Sequence, residues 1–223
     1  MEPRGAEVAR VFLLSPAHSG GKRAAMLLRR EAAFPLAVRL RREGIPLGEA
    51  FGFLSGLYFR GKLAYATRFA RPPAGLAGAH VITTNRGLVA ADTMVGPEDL
   101  RAFGAVDIRL DDPRYRGPLT RDLARLAGGP ATELVLLGSL ATGKYVDLLL
   151  DVVGGRLLFP TDFVGRGDMS RGALLLRAAR EGRELAYEPA LGALPRPRPR
   201  TRGATNGREE NRREDTADPE GHE

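Results

Sequence analysis

The chain has 223 residues, 43% of them hydrophobic, which is enough to bury one sizeable core and marginal for two domains. The absence of cysteine excludes disulfides, thiolate metal sites, iron–sulfur ligation and a cysteine nucleophile. The net charge is +7, from 34 basic residues, only three of them lysine, against 27 acidic ones. Residues 196–223 carry seven arginines and seven acids, so residues 1–195 hold the whole excess, and a basic body favours anionic partners.

No stretch approaches the about 20 consecutive apolar residues needed to span a bilayer. Residues 1–7 lack the basic-then-apolar layout of a signal peptide, so a cytoplasmic location without membrane attachment is expected. These seven residues are expected to be flexible.

Residues 8–14 form a strand-like run that stops at Ser15-Pro16. A glycine-containing loop follows, and residues 22–30 read as a helix. A second helix is predicted over 34–43, ending at Gly44 with Arg41 and Arg42 in its last turn. Leu47, Phe51, Leu54 and Tyr58 stand at helical spacing and predict a helix over 47–70, broken or kinked at Gly56 and Gly61. A strand over 79–83 and a turn at Asn85-Arg86-Gly87 come next. A helix over 97–103 has Pro97 in its first turn. Residues 106–110 read as a short strand, 111–118 as a loop and 119–127 as a helix.

The run Glu133-Leu-Val-Leu-Leu137 predicts another strand, and a helix is expected to open near Thr142 and extend to about 153. A strand over 156–159, a helix over 168–181 and a strand over 184–188 complete the pattern. Strands alternating with helices predict a single α/β domain over 8–195, with a mostly parallel or mixed central sheet flanked by helices. Residues 196–223 are nearly devoid of apolar side chains and are expected to form a disordered charged tail. No internal repeat is present.

In parallel α/β sheets, ligands gather outside the carboxyl ends of strands. Three loops fall there if the strand assignments hold: Ser15–Lys22, Asn85–Asp92 and Gly138–Tyr145. The first places paired glycines before Lys22 and Arg23, a layout that suits an anion but lacks the spacing of a nucleotide-triphosphate loop. In the third, Ser139 supplies a hydroxyl and Lys144 a charge beside a helix start. The stretch from Phe163 to Gly172 leads into a helix, with Asp168 or Ser170 as the N-cap and Arg166 and Arg171 beside its unpaired amides. That end suits a phosphate, or Asp168 simply caps the helix while both arginines sit in solvent. Arg60-Gly61-Lys62 adds cations next to aromatics.

His18, His80 and His222 have no metal-ligand spacing, and neither a metal nor a cofactor is expected. No pair among Asp92, Asp111, Asp112 and Asp168 is marked as acid and base by spacing.

In order, these motifs resemble those of the YaaA family of bacterial peroxide-stress proteins. Ser15-Pro16-Ala17 resembles the family's opening Ser-Pro-Ala, and Phe59-Arg60-Gly61 its Phe-Arg-Gly, with Lys62 where an Asp usually follows. Residues 86–92 look like a reduced form of a family loop. Gly138-Ser139 with Lys144-Tyr145 is similar to another element, with Lys144 in place of a Glu. Arg166-Gly-Asp-Met-Ser-Arg171 is close to the family's Arg-Gly-x-Met-Ala-Arg. The resemblance implies an α/β cytoplasmic protein that binds DNA and limits oxidative damage. It carries over Ser15, Arg60, Asp92, Ser139, Tyr145, Arg166 and Arg171 as functional positions.

Two readings therefore stand. In the first, the protein binds nucleic acid, DNA above all, through phosphate contacts in a stress or protection role. In the second, an enzyme takes a nucleobase, nucleoside or sugar phosphate into a pocket formed by the strand-end loops. A partner-binding module is a third reading.

Overall fold

The computed structural model describes residues 8–129, 131–140 and 145–191. Expectations for residues 1–7, Thr142, Lys144 and 196–223 lie outside them. Among the described residues, six strands form one mixed sheet: β1 (Ala9–Leu14), β3 (Ala79–Ile82), β4 (Leu88–Ala90), β6 (Thr132–Leu137), β7 (Leu157–Pro160) and β8 (Tyr187–Pro189). Their order is β4-β3-β1-β6-β7-β8. The four inner strands run parallel, while β4 and β8 close the two edges antiparallel. β2 (Ile45–Pro46) and β5 (Met94–Val95) pair separately.

The central strands are apolar on both faces because helices cover both. Phe12, Leu14, Val135 and Leu137 face a core closed by α1 (Lys22–Leu28), α2 (Pro35–Arg42), α3 (Leu47–Ser55), α4 (Leu57–Phe69) and α8 (Asp168–Glu181). Val11, Leu13, Leu134 and Leu136 alternate with them and face α6 (Pro113–Gly128) and α7 (Val146–Val153). α5 (Pro97–Gly104) joins the first core through Leu100 and Phe103.

β1 and β6 lie side by side in full register, Leu14 opposite Leu137. The chain leaves β1 toward helices on one face and leaves β6 toward α7 on the other. Neighbouring parallel strands whose connections part in this way leave a crevice at their carboxyl ends.

Several elements differ from the sequence expectation. Residues 106–110 form no strand. Val106, Ile108 and Leu110 alternate as a strand would, but they anchor a loop against the second core. α6 starts at Pro113, not 119. Asp112 caps it by accepting from the Arg114 amide at 2.9 Å, and Pro113 at the first position costs no hydrogen bond. Pro118 sits inside the helix, where the missing amide removes one backbone hydrogen bond. The last strand begins at Tyr187 because the preceding residues are otherwise engaged: the Leu185 amide donates to the Tyr65 hydroxyl at 2.7 Å.

The 47–70 run breaks at Gly56, whose φ of +69° favours glycine, but passes unbroken through Gly61. Gly61 is instead a contact point, since a Cβ there would lie 2.6 Å from the Gly172 carbonyl oxygen. A Cβ on Gly172 would lie 2.8 Å from the Tyr58 Cα. α4 and α8 thus touch backbone to backbone, which holds the starts of both helices beside the β1–β6 crevice.

Candidate active site

Ser15 follows β1 directly, and its amide donates to the Leu137 carbonyl at 3.2 Å, so it stands at the mouth of the crevice. Beneath it lies Lys62, from the second turn of α4 and 1% exposed. Its Nζ is 2.7 Å from the Ser15 carbonyl oxygen and 2.9 Å from Ser15 Oγ. The Tyr58 and Phe59 rings flank the same nitrogen at 4.6 and 4.7 Å. Among the described residues no carboxylate comes within ion-pair distance of Lys62. Burial pushes its ammonium down to about 7, and the Asp168 carboxylate at the start of α8 only partly opposes that shift.

Two tyrosines complete the cluster. Tyr145 caps the start of α7 by position, and its hydroxyl accepts from the Ser139 amide at 3.2 Å and donates to the Ser139 carbonyl at 3.1 Å. Burial raises its pKa, while hydrogen bonds to Ser15 and Ser139 restrain the rise. The hydroxyl reaches this position because residue 138 is glycine: a Cβ there would lie 2.8 Å from it and 2.9 Å from the Ser15 Cβ.

Tyr58 comes from the first turn of α4, and its buried hydroxyl has no hydrogen-bond partner among the described residues. Burial raises its pKa, and the nearby Arg171 guanidinium counters part of the rise. Arg171 is committed to the backbone, with Nε and Nη2 donating to the Phe163 carbonyl at 3.2 and 3.0 Å. It is also 3.6 Å from Asp168.

The starts of α4, α7 and α8 therefore gather around Ser15. Of the residues marked in the sequence, the fold brings together Ser15, Ser139, Tyr145, Asp168 and Arg171. Arg166 and Ser170 sit at the rim, Arg166 donating to the Asp162 carbonyl at 2.8 Å and to Ser170 Oγ at 3.3 Å. Neither Asp168 nor Ser170 is the N-cap of α8: that position is Gly167, with Asp168 the first helical residue.

The remaining positions lie apart. Asp92 is not at the carboxyl ends of the parallel strands, because β4 turns the chain back along β3 and leaves residue 92 beside Ala79, at the opposite end of the sheet. Lys22 is exposed at the start of a helix of only seven residues with no side-chain cap, a weak place for an anion. Arg23 donates to the Phe53 carbonyl at 3.3 Å, and Arg60 points outward from α4 against Gly52.

Lys62 and Tyr58 were missed as site residues, although the signal was present. Tyr58, Lys62, Tyr65, Ala66 and Phe69 form one stripe at helical spacing, and a lysine inside an apolar stripe with no acid a turn away is a buried amine.

No protein-family model matches this chain, and no curated protein or solved structure matches it either. Among the described residues, no helix is long and apolar enough to cross a membrane, and no three acidic or histidine side chains group as a metal would require.

Proposed function

We propose that the protein is an enzyme of the second kind expected from the sequence, with Ser15 as nucleophile and Lys62 as its base. The supporting observation is a buried amine, titrating at about 7, placed 2.9 Å from a serine hydroxyl at the sheet's switch point. Neutral Lys62 takes the Oγ proton as the Ser15 oxygen bonds to an electrophilic acyl carbon. Lys62 then passes that proton to the leaving group as its bond to carbon breaks. Water then bonds to the acyl carbon as Lys62 takes its proton, and Lys62 returns that proton to Ser15 Oγ as the bond from Oγ to carbon breaks. The Tyr58 hydroxyl has an unused proton to donate, and the three helix starts favour the negative charge that develops on oxygen.

The test is covalent labelling with an alkyl fluorophosphonate, followed by mass spectrometry. Labelling at Ser15 that follows a midpoint near pH 7 and vanishes in Ser15→Ala supports the reading. Absent labelling, or labelling unchanged by that substitution, contradicts it.

Nucleic-acid binding in a stress role, implied by the YaaA resemblance and the first of the two readings of the sequence, is the alternative. In its favour, Lys22, Arg23, Arg60 and Arg166 are exposed and form no ion pair among the described residues. It predicts that duplex-DNA affinity falls with salt and that the slope flattens by about 2 in the Arg60→Ala, Arg166→Ala double variant. Salt-insensitive or absent binding would remove it.

A further inference from the structure

A cavity of about 340 Å³ opens beside the catalytic crevice, and the chemistry assigned to Ser15 and Lys62 does not use it. Pro16 and Ala17, the residues directly after Ser15, form part of its wall, and Phe103 and Ile108 add apolar surface. Its volume lies at the small end of the about 300–1,000 Å³ typical of small-molecule pockets.

Its polar side chains are His18, Ser19, Thr84 and Asp107, so oxygens outnumber the one imidazole. Ser19 is 7% exposed, and its Oγ has no hydrogen-bond partner among the described residues. A buried hydroxyl left unsatisfied costs stability, so this one is available to a ligand. The Thr84 hydroxyl already donates to the Phe103 carbonyl at 2.7 Å and has only lone pairs left to offer. The Asp107 carboxylate on the rim accepts and never donates. The Asp107 carboxylate disfavours a phosphate or carboxylate, whereas a flat ring carrying both N–H donors and ring-nitrogen acceptors suits the three oxygens and the His18 imidazole together.

We propose that this cavity holds an uncharged nitrogen heterocycle of nucleobase type, and that this ring is the recognised part of the substrate attacked by Ser15. The link to Ser15 rests on the catalytic reading above, while occupancy of the cavity does not.

Binding of free adenine and cytosine to the full chain is measured by calorimetric titration, with benzoate and inorganic phosphate as anionic controls. The expected result is saturable binding of one or both bases, weakened about tenfold by Asp107→Asn and by Ser19→Ala, with the controls inert. No binding of either base, equal binding of benzoate, or indifference to both substitutions overturns the proposal. A saturating base is also expected to slow fluorophosphonate labelling of Ser15, and unchanged labelling breaks the link between cavity and nucleophile. Ser15→Ala keeps the two readings distinguishable: it abolishes labelling and leaves base binding intact, so each fails on its own measurement.

Discussion

The two ends of the β1–β6 strand pair carry charge in opposite ways. At the amino end, Arg10 donates to Glu133 at 2.8 Å and also pairs with Glu184, which in turn accepts from Arg71 at 2.8 Å and from the Tyr187 hydroxyl at 3.0 Å. The Tyr187 and Tyr65 hydroxyls are 2.6 Å apart, and the Arg10 guanidinium stacks over the Tyr187 ring at 4.7 Å. Each of these charges meets its opposite, as a structural network requires. At the carboxyl end, Lys62 is more deeply buried than Arg10, yet among the described residues only Ser15 and aromatic faces meet it, and a tyrosine hydroxyl nearby has no partner among them. A leucine or methionine would fill that space at lower cost. The contrast teaches that the amino end is arranged to hold the sheet together, while the carboxyl end keeps an uncompensated amine, which the proposed function puts to use.

The sharpest way to break this comparison is to exchange the two cations for apolar residues. Lys62→Met is expected to reduce acyl transfer by about 1,000-fold or more, while the melting temperature at pH 7 holds or rises. Loss of folding with Lys62→Met would make the lysine structural. Arg10→Met should do the converse, lowering stability by about 2–4 kcal/mol in urea titration and leaving the pH dependence of labelling intact. Gly172→Ala is expected to cost about 2–3 kcal/mol and to slow labelling as well, because the new methyl group forces α4 from α8 and carries Lys62 with it.

The pH dependence of stability sharpens the same point. Lys62 binds its proton at about 7 when folded and near the ordinary lysine value of about 10.4 when unfolded. Between those values the unfolded chain holds more protons, so Lys62 makes stability rise with pH, by up to about 1.4 kcal/mol per unit. Below about 7 both states are protonated and this contribution is flat. Urea titrations of the wild type and Lys62→Met should differ in slope over that window and run parallel below it. The smallest expected effect belongs to Asp168→Asn: losing the carboxylate that favours the ammonium shifts the labelling midpoint downward, so labelling extends to lower pH. An unchanged midpoint would place Asp168 outside the electrostatics of the site.

The architecture was legible because it rests on local periodicity. The inner strands are unbroken apolar runs, and the helices that cover them carry stripes at helical spacing. Short edge elements such as β4, β5 and β2 were not legible, since two or three residues hold no period and depend on a neighbouring strand. The site was half legible. Ser139 and Arg171 stood out by lying next to a strand end or a helix start, and Ser15 and Tyr145 were marked by the family resemblance. Asp92 was misplaced because the hairpin return of β4 turns on pairing that no local pattern records. Lys62 was read with Arg60 as a cation beside aromatics, a pattern suited to nucleic acid, yet one residue from Gly61 the helix turns from solvent to core.

The protein has three lysines, which makes the central claim directly measurable. Titration of the lysine Cε resonances by carbon-13 NMR, assigned by the disappearance of one signal in Lys62→Met, reports the Lys62 pKa in the intact chain. A midpoint near 7 for that signal is the predicted result. A midpoint near 10, with the signal moving as an ordinary solvated lysine would, contradicts the account.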